Sequence, residues 1–403
     1  MSPYASTSLS PPARGETPSK TRSLLAACVA HALHDGYTDG LYAVLPIWQT
    51  QFGLSYAGLA AVRALYYGTM GGLQIPAERA LKGFSARGAL LLATLIAAAG
   101  YLTMAVPMGF AGLCVGLVVA GIGSSIQHPR GSLLVHETYA GASRRPLGIY
   151  NFSGDLGKAT LPALAAVLLP IVAWRPVMGL MAVLGLLVSA LLFGLAPIAP
   201  TSPPAKSADG RGQGRPGGFG LLTAIGGLDT ATRMGYLLFL PFLVHQRGGA
   251  SASVGLALAL LFIGGAFGKA TCNRLGERLG VVRAVIVTEA ATAVLIASTL
   301  LTPLVPTLVL LPVLGIVLNG TSSLLYGTVP DLAPAGDHGK AFAIFYTSVT
   351  GSGGLAPIVY GAIADDSSQA TGILAAAATA ALIIPLMLVL SPRLAQALRG
   401  QST

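Results

Sequence analysis

The sequence predicts an all-α integral membrane protein with twelve transmembrane helices. Of its 403 residues, 53% are hydrophobic and 9% are charged, and the mean hydropathy is +0.72, whereas charged residues make up about 25% of a soluble domain. Apolar runs of about 20 residues, the length that crosses a bilayer core, recur from Ser23 to Leu390. The predicted spans cover residues 23–47, 56–77, 88–107, 110–138, 147–171, 176–198, 218–244, 252–272, 284–303, 306–329, 340–363 and 370–391.

A polar segment rich in proline, glycine and serine follows the sixth span and is typical of a linker. It divides the spans into two sets of six. The two sets share a weak repeat, since an offset of 195 residues aligns Pro162 with Pro357, and this predicts pseudo-symmetric halves. We therefore expect a disordered cytoplasmic N-terminus at 1–22, six-helix halves at 23–198 and 218–391, a cytoplasmic linker at 199–217 and a cytoplasmic tail at 392–403.

The net charge of +10 is explained by where the basic residues lie. Seventeen of the 24 lysines and arginines fall on the N-terminal side of the predicted membrane, and only Arg175 and Arg247 fall in the opposite loops. This asymmetry is the positive-inside pattern, which predicts that both termini are cytoplasmic. Because topology accounts for the basic charge, it does not indicate a nucleic-acid partner.

Four titratable side chains lie within nine residues of the first span. A charged side chain at the centre of a membrane helix costs about 2.5–3.5 kcal/mol on insertion scales, so this cluster needs a polar environment. At 100° per residue, the polar side chains share a sector of about 140°. The residues of this predicted wet face are His31, His34, Asp35, Thr38, Asp39 and Tyr42. We expect His31 and Asp35, four residues apart, to share a proton; a self-satisfied network that holds helices together is the alternative.

Polar groups also lie inside the fourth and seventh spans. His128 and Arg130 flank Pro129, whose ring frees a backbone carbonyl, and such an irregular turn suits ligand binding. For Arg130 the alternative is a side chain that reaches the cytoplasmic interface. Asp229 and Arg233 have the favourable spacing of an acid four residues before a base.

The second and fifth spans add further ionisable groups. Arg63 could pair with Asp35 or Asp39, or bind an anionic group. Asp155 and Lys158, three residues apart, could neutralise each other, and a purely structural pair is the alternative. The candidate substrate-binding residues are therefore His34, Asp39, Arg63, His128, Arg130, Asp155, Lys158, Asp229, Arg233 and Asn319.

The loop after the second span of each half carries an arginine next to an acidic or amide residue. Glu78-Arg79 and Asn273-Arg274 correspond at the 195-residue offset. An acid and a base at this position can brace neighbouring helix ends across a cytoplasmic gate. We expect gating roles for these four residues; ordinary positive-inside arginines are the alternative.

Four motifs of the first half form a recognisable pattern: His31-x-x-x-Asp35, Leu45-Pro46, Phe52-Gly-Leu-Ser55 and Gly121-x-Gly-Ser-Ser-x-x-His128-Pro129. Over residues 28–165 the pattern resembles the fosmidomycin resistance protein family of the major facilitator superfamily. The resemblance implies an inner-membrane exporter that exchanges a small polar compound for protons, with His31, Asp35 and His128 in its site. Arg130 and Lys158 depart from the family pattern, and these extra cations favour a more anionic cargo.

We therefore expect a major facilitator fold and a proton-coupled antiporter that works by alternating access. Its cargo would be a fosmidomycin-like compound or a hydroxamate or carboxylate siderophore, with His31 and Asp35 carrying the proton. Proton-coupled import of a small organic anion is the alternative, and a membrane-embedded enzyme or a transport-like sensor is a more distant one.

No metal-ligand motif or nucleophile elbow is visible in the sequence, so we expect no enzymatic activity, no metal and no cofactor other than the proton gradient. The expected partners are the small-molecule cargo, protons and the lipid bilayer. We expect a monomer in the bacterial inner membrane.

Overall fold

The computed structural model describes residues 17–81, 83–139, 144–196, 218–333 and 338–401. The predicted linker at 199–217 and residues 1–16 of the predicted disordered segment lie outside these ranges. The described end of that segment is helical, because the first helix begins at Thr17. Pro18 lies in the first turn, where a proline does not interrupt the helical hydrogen bonds.

The described elements are helices, and twelve of them have 17 residues or more. Two short helices, α2 and α4, extend α1 and α3. The first half contains α1 (Thr17–Gly40), a 3₁₀ turn (Leu41–Val44), α2 (Leu45–Phe52), α3 (Tyr56–Gly72), α4 (Gln74–Ala80), α5 (Ala86–Ala105), α6 (Gly109–Thr138), α7 (Arg144–Leu168) and α8 (Trp174–Leu195). The second half contains α9 (Gly218–Gln246), α10 (Ser251–Leu279), α11 (Val281–Leu301), α12 (Leu304–Leu332), α13 (His338–Asp366) and α14 (Gln369–Gln401).

Local sequence signals explain several helix ends. The side chain of Ser55 caps α3 by accepting a hydrogen bond from the Gly58 amide at 3.1 Å, and Ser85 caps α5 in the same way. Gly53 ends α2 with a φ of 62°, a left-handed conformation that glycine adopts without strain. These caps separate the first three predicted spans.

Seven of the described helices are apolar enough to cross a membrane by length and composition alone: α5, α6, α8, α10, α11, α12 and α14. Other long helices fall short because α3 has only 17 residues and α1, α7 and α9 carry ionisable side chains along their length. Large apolar side chains cover the outside of the bundle, and Leu301, for example, is 87% exposed. Such a surface is suited to contact with lipid rather than water.

The two halves repeat the same packing. In the first half α1 packs against α7, α3 against α6 and α5 against α8; in the second half α9 packs against α13, α10 against α12 and α11 against α14. Pro162 and Pro357 lie inside the corresponding helices α7 and α13. The predicted twelve-helix layout in two pseudo-symmetric halves is confirmed.

Two helix pairs make most of the described contacts between the halves: α3 packs against α13, and α7 packs against α10. Small residues allow these approaches, since a Cβ added to Gly255 of α10 would collide with Ala163 and Ala166 of α7. We call the side where α8 ends and α9 begins the linker side, and the opposite side the far side. The interface between the halves runs between these two sides and contains the site described next.

Candidate functional site

A polar cavity of about 220 Å³ lies between the two halves. The first half contributes residues from α1, α3, α6 and α7, and the second half contributes residues from α9, α10 and α13. The lining residues are His31, Asp35, Thr38, Asp39, Tyr67, Met70, His128, Asn151, Lys158, Met234, Lys269 and Tyr346. Sequence reasoning had singled out six of these residues as site candidates: His31, Asp35, Asp39, His128, Lys158 and, as part of the first-span wet face, Thr38.

Asp35 is the central charged group of the cavity, and three basic side chains surround it. Its Oδ2 lies 3.5 Å from His31 Nε2 and 3.4 Å from Lys158 Nζ, and its Oδ1 lies 3.7 Å from His128 Nε2. The side chain is only 11% exposed. A buried carboxylate is stable here because a lysine ammonium lies against it, and the two imidazoles can accept or release a proton beside it.

The two imidazoles are held in place by ring contacts. His31 stacks on Tyr150 of α7 with the ring centroids 4.0 Å apart, and it meets His128 edge to face at 5.4 Å. Gln127 donates a hydrogen bond to the Tyr150 hydroxyl at 3.3 Å. Gly154 of α7 lets α1 come this close, since a Cβ at that position would overlap the side chains of His31 and Asp35.

Asp39 has its own cation. Arg63 of α3 donates from Nη2 to Asp39 Oδ1 at 3.2 Å, which is one of the two pairings expected from the sequence. The guanidinium carbon lies 3.9 Å from the centre of the Tyr42 ring, a stacking contact that favours a buried arginine. Both charged side chains are about nine-tenths buried or more, at 7% and 6% exposure.

Asp155 and Lys158 do not pair with each other, contrary to the sequence-based expectation. Asp155 Oδ2 accepts a hydrogen bond from Lys269 Nζ at 2.7 Å, whereas Lys158 turns to Asp35. The reason is that α7 faces α1 on one flank and α10 on the other, so residues three apart reach different neighbours. The Asp155–Lys269 ion pair joins the two halves beside the cavity.

His34 lies outside the cavity and was expected to bind substrate. It is fully buried, with Nδ1 2.9 Å from the Ser124 hydroxyl and Nε2 3.4 Å from the Thr94 hydroxyl. Ser124 also contacts the Tyr66 hydroxyl at 2.7 Å. This network satisfies both ring nitrogens, so its geometry is that of a group that joins α1, α5 and α6.

Arg130 also lies away from the cavity lining. Its Nε is 3.0 Å from Glu78 Oε2 and its Nη2 donates to the Leu81 carbonyl at 2.5 Å. These contacts join the linker-side end of α6 to α4. The position of Arg130 therefore does not favour a substrate-binding role. Glu78 was expected to brace helix ends together with a basic residue, and Arg130 is its basic partner in the structure.

The polar residues of the second half are spread over several environments. Ser322 lies between Asp229 and Arg233: its hydroxyl donates to Asp229 Oδ2 at 2.6 Å and accepts from Arg233 Nη1 at 3.2 Å. Asn319 donates to the Gly315 carbonyl and packs against Gly265 at the contact of α10 with α12. None of these residues belongs to the described lining of the cavity.

The predicted gating residues occupy the linker side, but the described contacts of Glu78 and Asn273 lie within their own halves. Glu78 pairs with Arg130, and Asn273 accepts a hydrogen bond from Ser323 at 3.0 Å. Arg79 and Arg274 are exposed. No described contact of these residues therefore links the halves across a gate on this side.

On the far side, Asp365 of α13 joins the halves. Its two carboxylate oxygens accept hydrogen bonds from the amides of Tyr56 and Ala57, at 2.8 and 2.9 Å, at the N-terminus of α3. The Tyr56 hydroxyl also lies 3.1 Å from Gln369 Oε1. A carboxylate at a helix N-terminus is favourable because it meets unpaired amides and the positive end of the helix dipole, so this contact closes the far side.

Three side chains of the cavity have the donor types that metal ions prefer. The potential ligand atoms of His31, Asp35 and His128 lie within 4.8 Å of one another. However, the Lys158 ammonium lies against the same carboxylate and repels any cation placed there. The arrangement is therefore better suited to exchanging protons and receiving an anionic group than to holding a metal ion.

Two charged residues that join the halves were missed in the sequence. Lys269 is a lone lysine inside an otherwise apolar stretch of α10, and its position in a span was the available signal. Asp365 lies at the end of a span, where an exposed acid is common and does not indicate a function. Its role follows only from the packing of α13 against the N-terminus of α3.

The chain matches a known protein family and several solved structures. The family model of the Major Facilitator Superfamily matches residues 27–223 and 221–402. A bacterial homologue of the human lysosomal transporter Spinster, in an inward-facing and unoccupied conformation, superposes with a TM-score of 0.69 at 15% identity, covering 96% of this chain and 98% of the other. A POT family transporter in complex with 5-aminolevulinic acid gives 0.74 at 14% identity, with 93% and 96% covered. Identities this low show a shared fold alone, and no curated protein matches the chain significantly.

Proposed function

Because the chain belongs to the major facilitator superfamily and is a multi-pass membrane transporter, we propose that it is a proton-coupled antiporter that exports a small polar or anionic compound. The observation that carries the proposal is the Asp35 cluster: one buried carboxylate, two imidazoles and a lysine on the wall of the cavity between the halves. Alternating access moves such a midplane site from one side of the membrane to the other.

The charges of the cavity suit a cargo with both an acidic group and a hydrogen-bond donor. Lys158 and Lys269 offer ammonium groups to the acidic part of a cargo, and both are partly exposed, at 32% and 40%. Asp35 can accept a hydrogen bond from the donor part. A proton on Asp35 occupies one of the two carboxylate oxygens and turns it into a donor, so the proton and the donor group of the cargo compete for the same carboxylate, which is the requirement for exchange.

A fosmidomycin-like compound and a hydroxamate or carboxylate siderophore have this combination of groups, and we propose these compounds as the cargoes. We further propose a monomer in the bacterial inner membrane, with both termini in the cytoplasm, that needs no cofactor besides the proton gradient. The asymmetry of the basic residues supports this orientation.

The Lys158–Asp35 contact also favours a second candidate, proton-coupled import of a small organic anion. A proton on Asp35 would release the Lys158 ammonium, now 3.4 Å away, and leave it free to bind an anion. In that mechanism proton and cargo bind together rather than in competition.

Asp35→Asn tests the proposal in liposomes that contain the purified protein. Fosmidomycin, a hydroxamate siderophore and citrate serve as labelled probes, and uptake is driven by a pH gradient. We expect gradient-driven uptake of at least one probe by the wild type and at least a tenfold lower rate in Asp35→Asn, because the amide cannot exchange a proton.

Glu277→Gln is the matched control, since Glu277 is an exposed carboxylate on the linker side of α10. It should transport like the wild type. Transport of no probe by the wild type, or undiminished gradient-driven uptake by Asp35→Asn, would contradict the proposal.

A further inference from the structure

A second group of ionisable side chains lies inside the second half, away from the Asp35 cluster. Asp229 of α9 and Glu289 of α11 are 3% and 1% exposed, and their carboxyl groups are hydrogen-bond neighbours. Sequence reasoning treated Asp229 as a substrate ligand and did not single out Glu289. The structure makes them one pair.

A hydrogen bond between two carboxyl groups requires a proton. Ionised carboxylates only accept hydrogen bonds, so one member of the pair must be protonated to donate to the other. Two adjacent carboxylates buried in a membrane domain would also repel each other without water to screen them. The geometry is therefore that of a pair with one shared proton.

The neighbours of the pair can stabilise one negative charge. The Ser322 hydroxyl donates to Asp229 Oδ2 at 2.6 Å, and the Thr321 hydroxyl lies within hydrogen-bonding reach of Glu289. Arg233 is the charged neighbour of both carboxyls and is joined to Asp229 through Ser322. One guanidinium balances a singly charged pair, and no second cation is among the described neighbours that could balance a doubly charged pair.

The other packed helices add neutral groups around the pair. On α10 the buried Cys272 thiol interacts electrostatically with both carboxyls. On α13, Ser348 and Ser352 lie beside Gly227 of α9. From α14, Ile383 and Met387 belong to the surrounding apolar core, and on α11 the Thr292 hydroxyl, one turn from Glu289, is buried without a hydrogen-bond partner.

Arg233 connects this pair with the transport cavity. It interacts electrostatically with Asp39 and Tyr67 of the first half, and Tyr67 lines the cavity. Its contacts with Thr230 and Ser322 hold it in the second half. A change of charge on the pair therefore changes how strongly Arg233 is held on its own half.

We propose that Asp229 and Glu289 form a second proton-binding site, which carries one shared proton and controls how strongly Arg233 is held. When the proton is present, one negative charge faces Arg233. When the proton leaves, the doubly charged pair holds Arg233 more strongly than the singly charged pair does. The effect of this change on transport rests on the proposed function, whereas the proton site itself does not.

Infrared spectroscopy of the full-length protein in lipid tests the site without any cargo. The wild type at neutral pH should show the carbonyl stretch of a protonated carboxylic acid, shifted in heavy water because the proton exchanges. This band should disappear in Glu289→Gln and also in Asp229→Asn, since the remaining carboxylate then accepts a hydrogen bond from the new amide.

Two controls separate this site from the others. Asp35→Asn should retain the band, because Asp35 is paired with Lys158, and so should Asp365→Asn, whose carboxylate accepts amide hydrogen bonds. A band that survives both Glu289→Gln and Asp229→Asn, or no band in the wild type, would overturn the proposal. Because no flux is measured, a failure of the proposed transport activity cannot produce either result.

Discussion

Three buried acids of the first half differ in the basic groups that surround them, and therefore in how readily each can exchange a proton. Asp39 is paired with Arg63 and Asp155 with Lys269, so each has a permanent cation at hydrogen-bonding distance. Asp35 has longer contacts, between 3.4 and 3.7 Å, to one lysine and two imidazoles. Since imidazoles are the groups that titrate near physiological pH, Asp35 is the acid whose surroundings can change charge.

Two histidines one turn apart on α1 allow a direct comparison of structural and functional roles. We expect His34→Ala to lower the free energy of unfolding by about 1–3 kcal/mol, the usual cost of leaving buried hydrogen-bonding groups unpaired, because Ser124 and Thr94 lose a shared partner. The unfolding midpoint in detergent measures this loss.

His31→Gln is the matched variant on the wet face of the same helix. It should unfold close to the wild-type midpoint and lose the pH dependence of transport, because glutamine keeps a polar contact with Asp35 but does not titrate. The reverse pattern, a stable His34→Ala protein with altered pH dependence, would contradict the assignment of roles.

At the scale of the helix, the contact of α3 with α13 holds the far side closed. Asp365 binds the first amides of α3, and a carboxylate cap of this kind stabilises a helix end by about 0.5–2 kcal/mol. We expect Asp365→Ala to open the far side more often, by about 2- to 30-fold, since every 1.4 kcal/mol is a factor of ten.

A cysteine at Ala60 reports this opening, because Ala60 is 2% exposed and lines a small cavity between α3, α9 and α13. In a variant without Cys28, Cys114 and Cys272, labelling of Ala60→Cys by a membrane-impermeant maleimide should accelerate when Asp365→Ala is added. The neighbouring exposed acid provides the control, Asp366→Ala. Equal labelling rates of Ala60→Cys alone, with Asp365→Ala and with Asp366→Ala would show that the cap does not close the far side.

Helix-level features of this protein could largely be predicted from the sequence, and contacts between helices could not. The apolar runs, the linker and the repeated prolines predict the two halves, and the period of α1 places His31 and Asp35 on one face. The helical period cannot show which neighbouring helix a side chain faces. Lys158 was therefore expected to pair with Asp155, whereas it contacts Asp35. Arg130 was expected to line the cavity, whereas it pairs with Glu78.

Glu289 shows a signal that was present but not used. It is a single acid inside an apolar span, and the energetic argument that singled out the first span applies to it equally. Its partner Asp229 lies 60 residues earlier on a different helix, and no spacing rule within one helix connects them.

At the scale of the whole molecule, charge is distributed between the halves in a way that suits alternating access. The Asp155–Lys269 ion pair and the Asp365 cap are two contacts of charged side chains that cross between the halves, and the first of them lies beside the cavity. A cargo with an acidic group can compete with Asp155 for Lys269. Binding can therefore loosen one of the contacts that hold the halves together.

The most direct test of the central claim is the sign of the pH gradient that drives uptake in liposomes with the wild-type protein. Exchange at the Asp35 cluster predicts that fosmidomycin or the hydroxamate siderophore accumulates when the lumen is acidic, since protons leave as cargo enters, and that the internal pH rises with it. Accumulation only when the outside is acidic would establish the importer instead. Uptake at a rate that does not depend on the pH gradient would show that the Asp35 cluster couples no protons to transport.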